Sequence, residues 1–194
     1  MAVAGLVLAA GAGTRFGASP KQLADFRGRP LLEWAVRAQC AVRELDRVVV
    51  VLGSHASAIA EAVCFGRAET VVCEEWASGQ AWSLRRGVAA LAEGGEVSKV
   101  VVTLGDAPLL TPEVIQMFVA QPPRARAVYR GRPGHPVVLG PEEIAALVSL
   151  DGDEGARGLL RGGPEVEVGH LCSGRDVDTP EDLEEVRDEA RSVI

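Results

Sequence analysis

The 194-residue chain has no clustered cysteines, no excess of basic charge and no long apolar run. Cys40, Cys64, Cys73 and Cys172 are scattered, with no CxxC pair among them. Thiolate metal and dithiol centres need ligands close together, so the pattern argues against both, and the thiols are expected as small buried apolar side chains. The formal net charge is −7, which argues against a nucleic-acid backbone as partner. No apolar stretch approaches the roughly 20 residues of a membrane span. The opening MAVAGLVLAAGAG has no basic segment before it, so it is expected as a buried first strand rather than a secretory leader, in a cytoplasmic protein with no membrane contact. No internal repeat, low-complexity tract or linker interrupts the chain, and residues 1–194 are expected to form one domain.

What the chain does contain is an alternation of valine-rich runs with segments of helical period. Strands are expected at 3–9, 47–53, 69–73, 99–105, 125–130 and 135–140. Several are continuously apolar, as happens when both faces of a sheet are covered. Helices are expected at 30–41, 54–64, 80–93, 112–120, 141–150, 154–160 and 180–194, with Ser54 and Thr111 as N-caps. The rhythm implies a mostly parallel α/β sheet with helices on both faces. YRGRPGHPVV breaks it, with two strands joined by a Gly/Pro turn that read as a late hairpin. Ligands of such sheets sit beyond the carboxyl ends of the strands, so the loops there carry the information.

The first of those loops, LVLAAGAGTRFGASPKQL (6–23), is rich in glycine and carries two cations. A Walker loop needs G-x-x-x-x-G-K-[ST], whereas here Lys21 follows Pro20. The dinucleotide fingerprint G-x-G-x-x-G also fails by one residue, because Gly11, Gly13 and Gly17 give G-x-G-x-x-x-G. What remains is a long loop in which Gly11 and Gly13 take positive φ and bring successive amides to an anion. Arg15 adds a planar fork for phosphate oxygens and Lys21 a mobile point charge. Residues 11–30 hold four cations against Asp25 alone, while 176–191 hold eight acids against two arginines. A basic loop on an acidic chain suits a small anionic ligand.

Other residues extend this reading. Asp106, just past a buried strand in VVVTLGDAPLL, is placed to hold Mg²⁺, which takes one or two carboxylates plus substrate phosphates. In DVDTPEDL, Thr179 is expected to cap the final helix with Pro180 in its first turn, and Asp176 to favour its positive end. Base recognition is expected from the main chain of Ala9 and Ala10 and from WASGQAWSL, through Gly79, Gln80 and Ser83. Trp76 and Trp82 flank that second loop, as core packing or as a platform near the acceptor. In GDEGARGLL, Arg157 offers a further cation toward a substrate phosphate or lies on a solvated helix face. His55 and His170 read as fillers.

The loop LAAGAGTRFGASPKQL resembles the signature of the MobA-like nucleotidyltransferases, and within them the molybdenum cofactor cytidylyltransferases. EEWASGQAWSLRRGVAAL, TLGDAPLLTPEVI, GRPGHPVVLG, GDEGARGLL and DVDTPEDL match later blocks of that family in the same order, so the likeness spans nearly the whole chain. The resemblance implies a Rossmann-like, three-layer αβα fold of GT-A type. It implies transfer of CMP from CTP to the phosphate of molybdopterin or its molybdenum form, with release of pyrophosphate. It assigns Asp178 as the second metal contact beside Asp106, and His135, in the G-H-P block, to the acceptor. Members with LAAG go with CTP and those with LAGG with GTP; Ala10 stands at that place, where its Cβ reduces room for a purine. Rival readings keep the chemistry with GTP or with a sugar or alditol phosphate, or make the chain a non-catalytic carrier handing the cofactor to a molybdoenzyme.

Overall fold

A computed structural model describes residues 2–17, 19–147 and 158–192. In chain order the elements are β1 (Ala2–Ala9), β2 (Asp25–Phe26), β3 (Arg29–Pro30), α1 (Leu31–Ala41), β4 (Arg47–Leu52), α2 (Ala56–Ala62) and β5 (Glu69–Val72). They continue with α3 (Gln80–Glu93), β6 (Val97–Leu104), α4 (Pro112–Ala120), β7 (Arg126–Tyr129), β8 (Arg132–Leu139), α5 (Pro141–Ala146), β9 (Glu165–Glu167) and α6 (Pro180–Ser192). Seven strands form one sheet in the order β5-β4-β1-β6-β8-β7-β9. β5, β4, β1 and β6 are mutually parallel, β8 runs against β6 and β7, and β9 is parallel to β7.

The period of two along each strand sorts side chains between two cores. Leu6, Leu8, Val49, Val51, Val100 and Val102 meet Leu84 and Leu91 of α3 on one face. Val7, Ala9, Val50 and Leu52 meet Leu32, Ala35 and Val36 of α1 on the other. That second face continues under α4, where Val114, Ile115 and Phe118 pack against Val101 and Val138. The result is the mostly parallel sheet covered on both faces that the valine runs imply, in the Rossmann-like three-layer fold that the resemblance implies. A separate apolar cluster, Phe26, Leu31, Val177, Leu183 and Val186, docks α6 beside the β2–β3 hairpin.

Several local expectations need correction. The residue capping α2 is His55, at φ 60, not Ser54, and it makes no side-chain capping bond. Thr111 does stand at the N-cap of α4, also without a capping bond from its side chain. Residues 158–160, expected to end a helix, form turns. The two-residue hairpin β2–β3 and the short β9 were not expected, since neither has an apolar run. Of the cysteines only Cys73 is buried; Cys64 is exposed. The late hairpin is β7–β8, turning through Arg130 (φ 51) and Gly131 (φ 78), the double positive φ that matches strand twist in a tight turn.

Candidate active site

The carboxyl ends of β1 and β6 lie side by side, pairing Leu8 with Leu104, and both open into a cleft of about 1570 Å³. β8 enters from the opposite direction, Val102 pairing with Val137, so the start of β8 and His135 reach the same edge. β7 and β9 end there too, which brings Tyr129, Arg130 and His170 to the far part of the cleft.

Past β1 the chain turns through Gly13 at φ 61, where the Phe16 N–H donates to the Gly13 carbonyl at 2.8 Å. A Cβ on Gly13 would lie 3.0 Å from Cγ of Lys21, so the lysine stem runs directly beneath the loop. Gly11, expected at positive φ, is not among the residues that adopt it. Sequence reading missed Gln22. It is buried, and its Nε2 donates to the carbonyls of Gly11 (2.8 Å) and Ala9 (3.2 Å), clamping both ends of the turn. Only its place beside Lys21 in the loop motif hinted at such a role.

Beyond β6, Gly105 sits so tightly that a Cβ would meet Leu32 at 2.7 Å and Ala9 at 2.8 Å. The close approach aims the next residue, Asp106, into the cleft. The carbonyl of Asp106 accepts the Val177 N–H at 2.9 Å, which fastens the approach to α6 alongside it. Asp178 is thereby carried into the same space from 72 residues further on. Asp182 holds the turn, accepting from the N–H groups of Asp178 (3.1 Å) and Thr179 (2.8 Å), while the Thr179 hydroxyl accepts the Asp182 N–H at 3.2 Å. This reciprocal cap is the role expected of Thr179.

The four groups then interlock. Nζ of Lys21 lies 2.6 Å from Oδ2 of Asp106 and 2.8 Å from Oδ1 of Asp178, and Arg15 donates to the other Asp178 oxygen at 2.8 Å. Lys21 is 9% exposed and Arg15 71%, so the lysine pair is the shielded one and the arginine contact is strongly screened. Burial alone would lower the Lys21 pKa, but the two carboxylates outweigh it and hold the ammonium above its ordinary range. Burial pushes Asp106 up, against the pull of Lys21, and the nearby Asp176 and Asp178 add to the rise. Oδ1 of Asp106 is buried without a hydrogen-bond partner, so this carboxylate keeps a free ligand atom.

The remaining candidates distribute around this centre. Ala9, Ala10, Gly11 and Gly13 line the cleft, with Gly79, Gln80 and Ser83 on the wall formed by the start of α3. The carbonyls of Ala9 and Ala10 already accept bonds, from Gln22 and from the Ser54 N–H (3.0 Å) respectively. Trp76 lines the cleft, whereas Trp82 packs on the core beneath the Arg85 guanidinium, 5.0 Å from its ring centre. His135 lines the far half, its carbonyl accepting from the Tyr129 hydroxyl. His170, read as a filler, also lines the cleft. Arg157 lies outside the described residues. Among the described residues no three His, Cys, Asp or Glu side chains gather as a metal cage. Two converging carboxylates with a free oxygen nevertheless fit a cation that takes its other ligands from substrate and water.

With this geometry in place, the likeness to known proteins can be read. Residues 5–168 match the MobA-like NTP transferase domain. Nicotine blue oxidoreductase of Paenarthrobacter nicotinovorans is 34% identical over 196 residues, covering 93% of this chain and 94% of that protein. 2-C-Methyl-D-erythritol 4-phosphate cytidylyltransferase of Cereibacter sphaeroides is 34% identical over 161 residues, covering 76% of this chain and 69% of that protein. The crystal structure of Rv0371c from Mycobacterium tuberculosis H37Rv in complex with manganese superposes with a TM-score of 0.81 at 27% identity, covering 97% of this chain and 99% of that one. Loop, sheet and family match agree, and the chain belongs to the MobA-like NTP transferase family, whose substrates include a nucleoside triphosphate.

Proposed function

We propose that the chain transfers CMP from CTP to the phosphate of molybdopterin or its molybdenum form, releasing pyrophosphate. The observation that carries this reading is the Lys21 ammonium held between Asp106 and Asp178 at the mouth of the glycine loop. Loop amides, Arg15 and Lys21 bind and orient the triphosphate. The acceptor phosphate is already ionised at neutral pH, so no general base is needed. One of its oxygens forms the new bond to the α-phosphorus, and the electron pair of the broken α–β bridge leaves with pyrophosphate. Bringing two anions to about 4 Å at an effective dielectric near 20 costs about 4 kcal/mol for each pair of unit charges. Lys21, Arg15 and the loop amides offset part of that cost by positioning and charge, without a covalent intermediate.

Asp106 and Asp178 would hold Mg²⁺, which when bound neutralises the phosphate oxygens and the departing charge. The relative named as a cytidylyltransferase supports a cytidine nucleotide, and the neighbour solved with manganese supports a divalent cation. Ala10, buried on the wall of the cleft beside Gly53, is assigned to selection of a pyrimidine over a purine. Gly79, Gln80 and Ser83 are assigned to the nucleotide, and His135 to the acceptor. A molybdoenzyme is the expected recipient of the product.

The test is pyrophosphate release with CTP, GTP, UTP and ATP, each with and without molybdopterin. CTP with molybdopterin is expected to exceed every other pair at least tenfold. Equal turnover of GTP, or no dependence on molybdopterin, would overturn the reading. Because one relative is named an oxidoreductase, NAD(P)H oxidation with the same acceptor forms a second arm, expected to be silent. Asp106→Ala should lower kcat about 10³-fold with the circular dichroism unchanged.

A further inference from the structure

The cations of the cleft fall into two groups. Arg15 and Lys21 are paired with Asp178 and Asp106, Arg126 with Glu165, and Arg175 with Glu185. Arg130 and Arg132 line the far end, and among the described residues neither side chain has a carboxylate partner. An acidic chain that pairs its other cleft arginines has left these two open.

Their placement is built rather than incidental. Tyr129 pairs directly with Arg132 across the hairpin, so the two side chains share one face, and the Tyr129 ring lines the cleft. The carboxylate of Glu167 fastens the hairpin tip to the neighbouring turn. Its Oε1 accepts from the N–H of Arg130 (3.0 Å) and of Gly169 (2.8 Å), and its Oε2 from that of Gly131 (3.2 Å). These donors, Arg130 first, hold Glu167 below the usual carboxylate range. Gly169 is required there, since a Cβ would meet Glu167 Oε1 at 2.8 Å and the Arg130 nitrogen at 3.0 Å. Glu167 is thus engaged with backbone amides, and among the described residues it makes no ion pair with the Arg130 or Arg132 side chain, although the charge of His170 acts on it. Tyr129 and Pro133 line the same cleft, as does the exposed Leu171, and add less polar surface.

We propose that Arg130, Arg132 and His170 form a second anion subsite, so that the acceptor carries a further negatively charged group besides the phosphate that receives the nucleotide. The proposal rests on the transfer reading above and narrows its acceptor to a molecule that carries a second anionic group beside an apolar or planar body. A planar guanidinium pair grips a carboxylate or comparable oxyanion through bidentate bonds, and the tyrosine ring favours the body.

Two measurements test it. The first is calorimetric binding of alkyl phosphates and of ω-carboxyalkyl phosphates of matched length, three to eight carbons, to the chain loaded with a non-hydrolysable CTP analogue. At one or more lengths the carboxylated probe should bind at least fivefold tighter, and Arg130→Ala/Arg132→Ala should erase the difference. No preference at any length, or one that survives in the double variant, would overturn the subsite, whatever nucleotide or acceptor the enzyme uses. The second is steady-state turnover of molybdopterin, where the double variant should raise the acceptor KM about tenfold with the KM for CTP within twofold. Glu167→Gln, which acts only through the hairpin tip, should raise the acceptor KM by a smaller factor. If wild-type protein prefers the bis-anionic probes but turns over no molybdopterin, the transfer reading fails while the subsite stands.

Discussion

The two halves of the cleft manage charge in opposite ways. On the side of β5-β4-β1-β6, Lys21 and Arg15 are spent on Asp106 and Asp178, so an incoming triphosphate must exchange one set of ion pairs for another. On the side of β8-β7-β9, the Arg130 and Arg132 side chains have no carboxylate partner among the described residues, and the neighbouring Glu167 binds backbone instead. An exchange site has little net attraction for a lone anion, and it selects a ligand able to satisfy all its groups together. An open site attracts anions broadly and is screened by salt. The half proposed for the nucleotide is therefore built for discrimination, and the half proposed for the acceptor for capture.

Lys21→Ala should break this comparison most visibly. It removes the shielded cation shared by two carboxylates and should lower kcat about 10²-fold or more, raising the KM for CTP and leaving acceptor affinity within about twofold. An equal loss on the acceptor side, measured by separate titrations, would show the halves are not independent. Gly105→Val comes next, acting through packing. Its added atoms collide with Leu32 and Ala9, and a loss of about 1–3 kcal/mol is expected in urea unfolding, with activity falling because Asp106 is displaced.

The smallest effect belongs to Asp182→Ala, which removes the reciprocal cap below Asp178 and should cost about 1 kcal/mol. The Thr179 hydroxyl, foremost, holds Asp182 below its ordinary range. A depressed carboxylate contributes stability that is complete above its unfolded value and lost as pH falls through the folded one. The difference between wild type and variant should therefore be full at pH 6 and shrink in strongly acid solution. A difference independent of pH would remove the ionised cap from the account.

Much of the architecture was legible. Continuous valine runs such as RVVVVL can be buried only on both faces, and alternation with amphipathic segments leaves few alternatives to a covered parallel sheet. The glycine loop, Asp106 and the hairpin were readable from local chemistry. The strand EVE was not, because three residues at a sheet edge carry no apolar run. Gln22 and Glu167 were missed for a related reason. Each acts by bonding to backbone groups, and neither glutamine nor glutamate has a sequence pattern that announces such a partner.

By itself the sequence determined the layers of the fold and the chemical kinds of group at its ligand edge, since hydrophobic period and residue type act over a few neighbours. Tertiary structure alone decided which of those groups meet. Lys21 is 85 residues from Asp106 and 157 from Asp178, and only strand order and the docking of α6 bring one ammonium between them. The same holds for which arginines are neutralised and which stay open. Pairing depends on distances of a few ångströms between remote segments, and the packed core sets those distances.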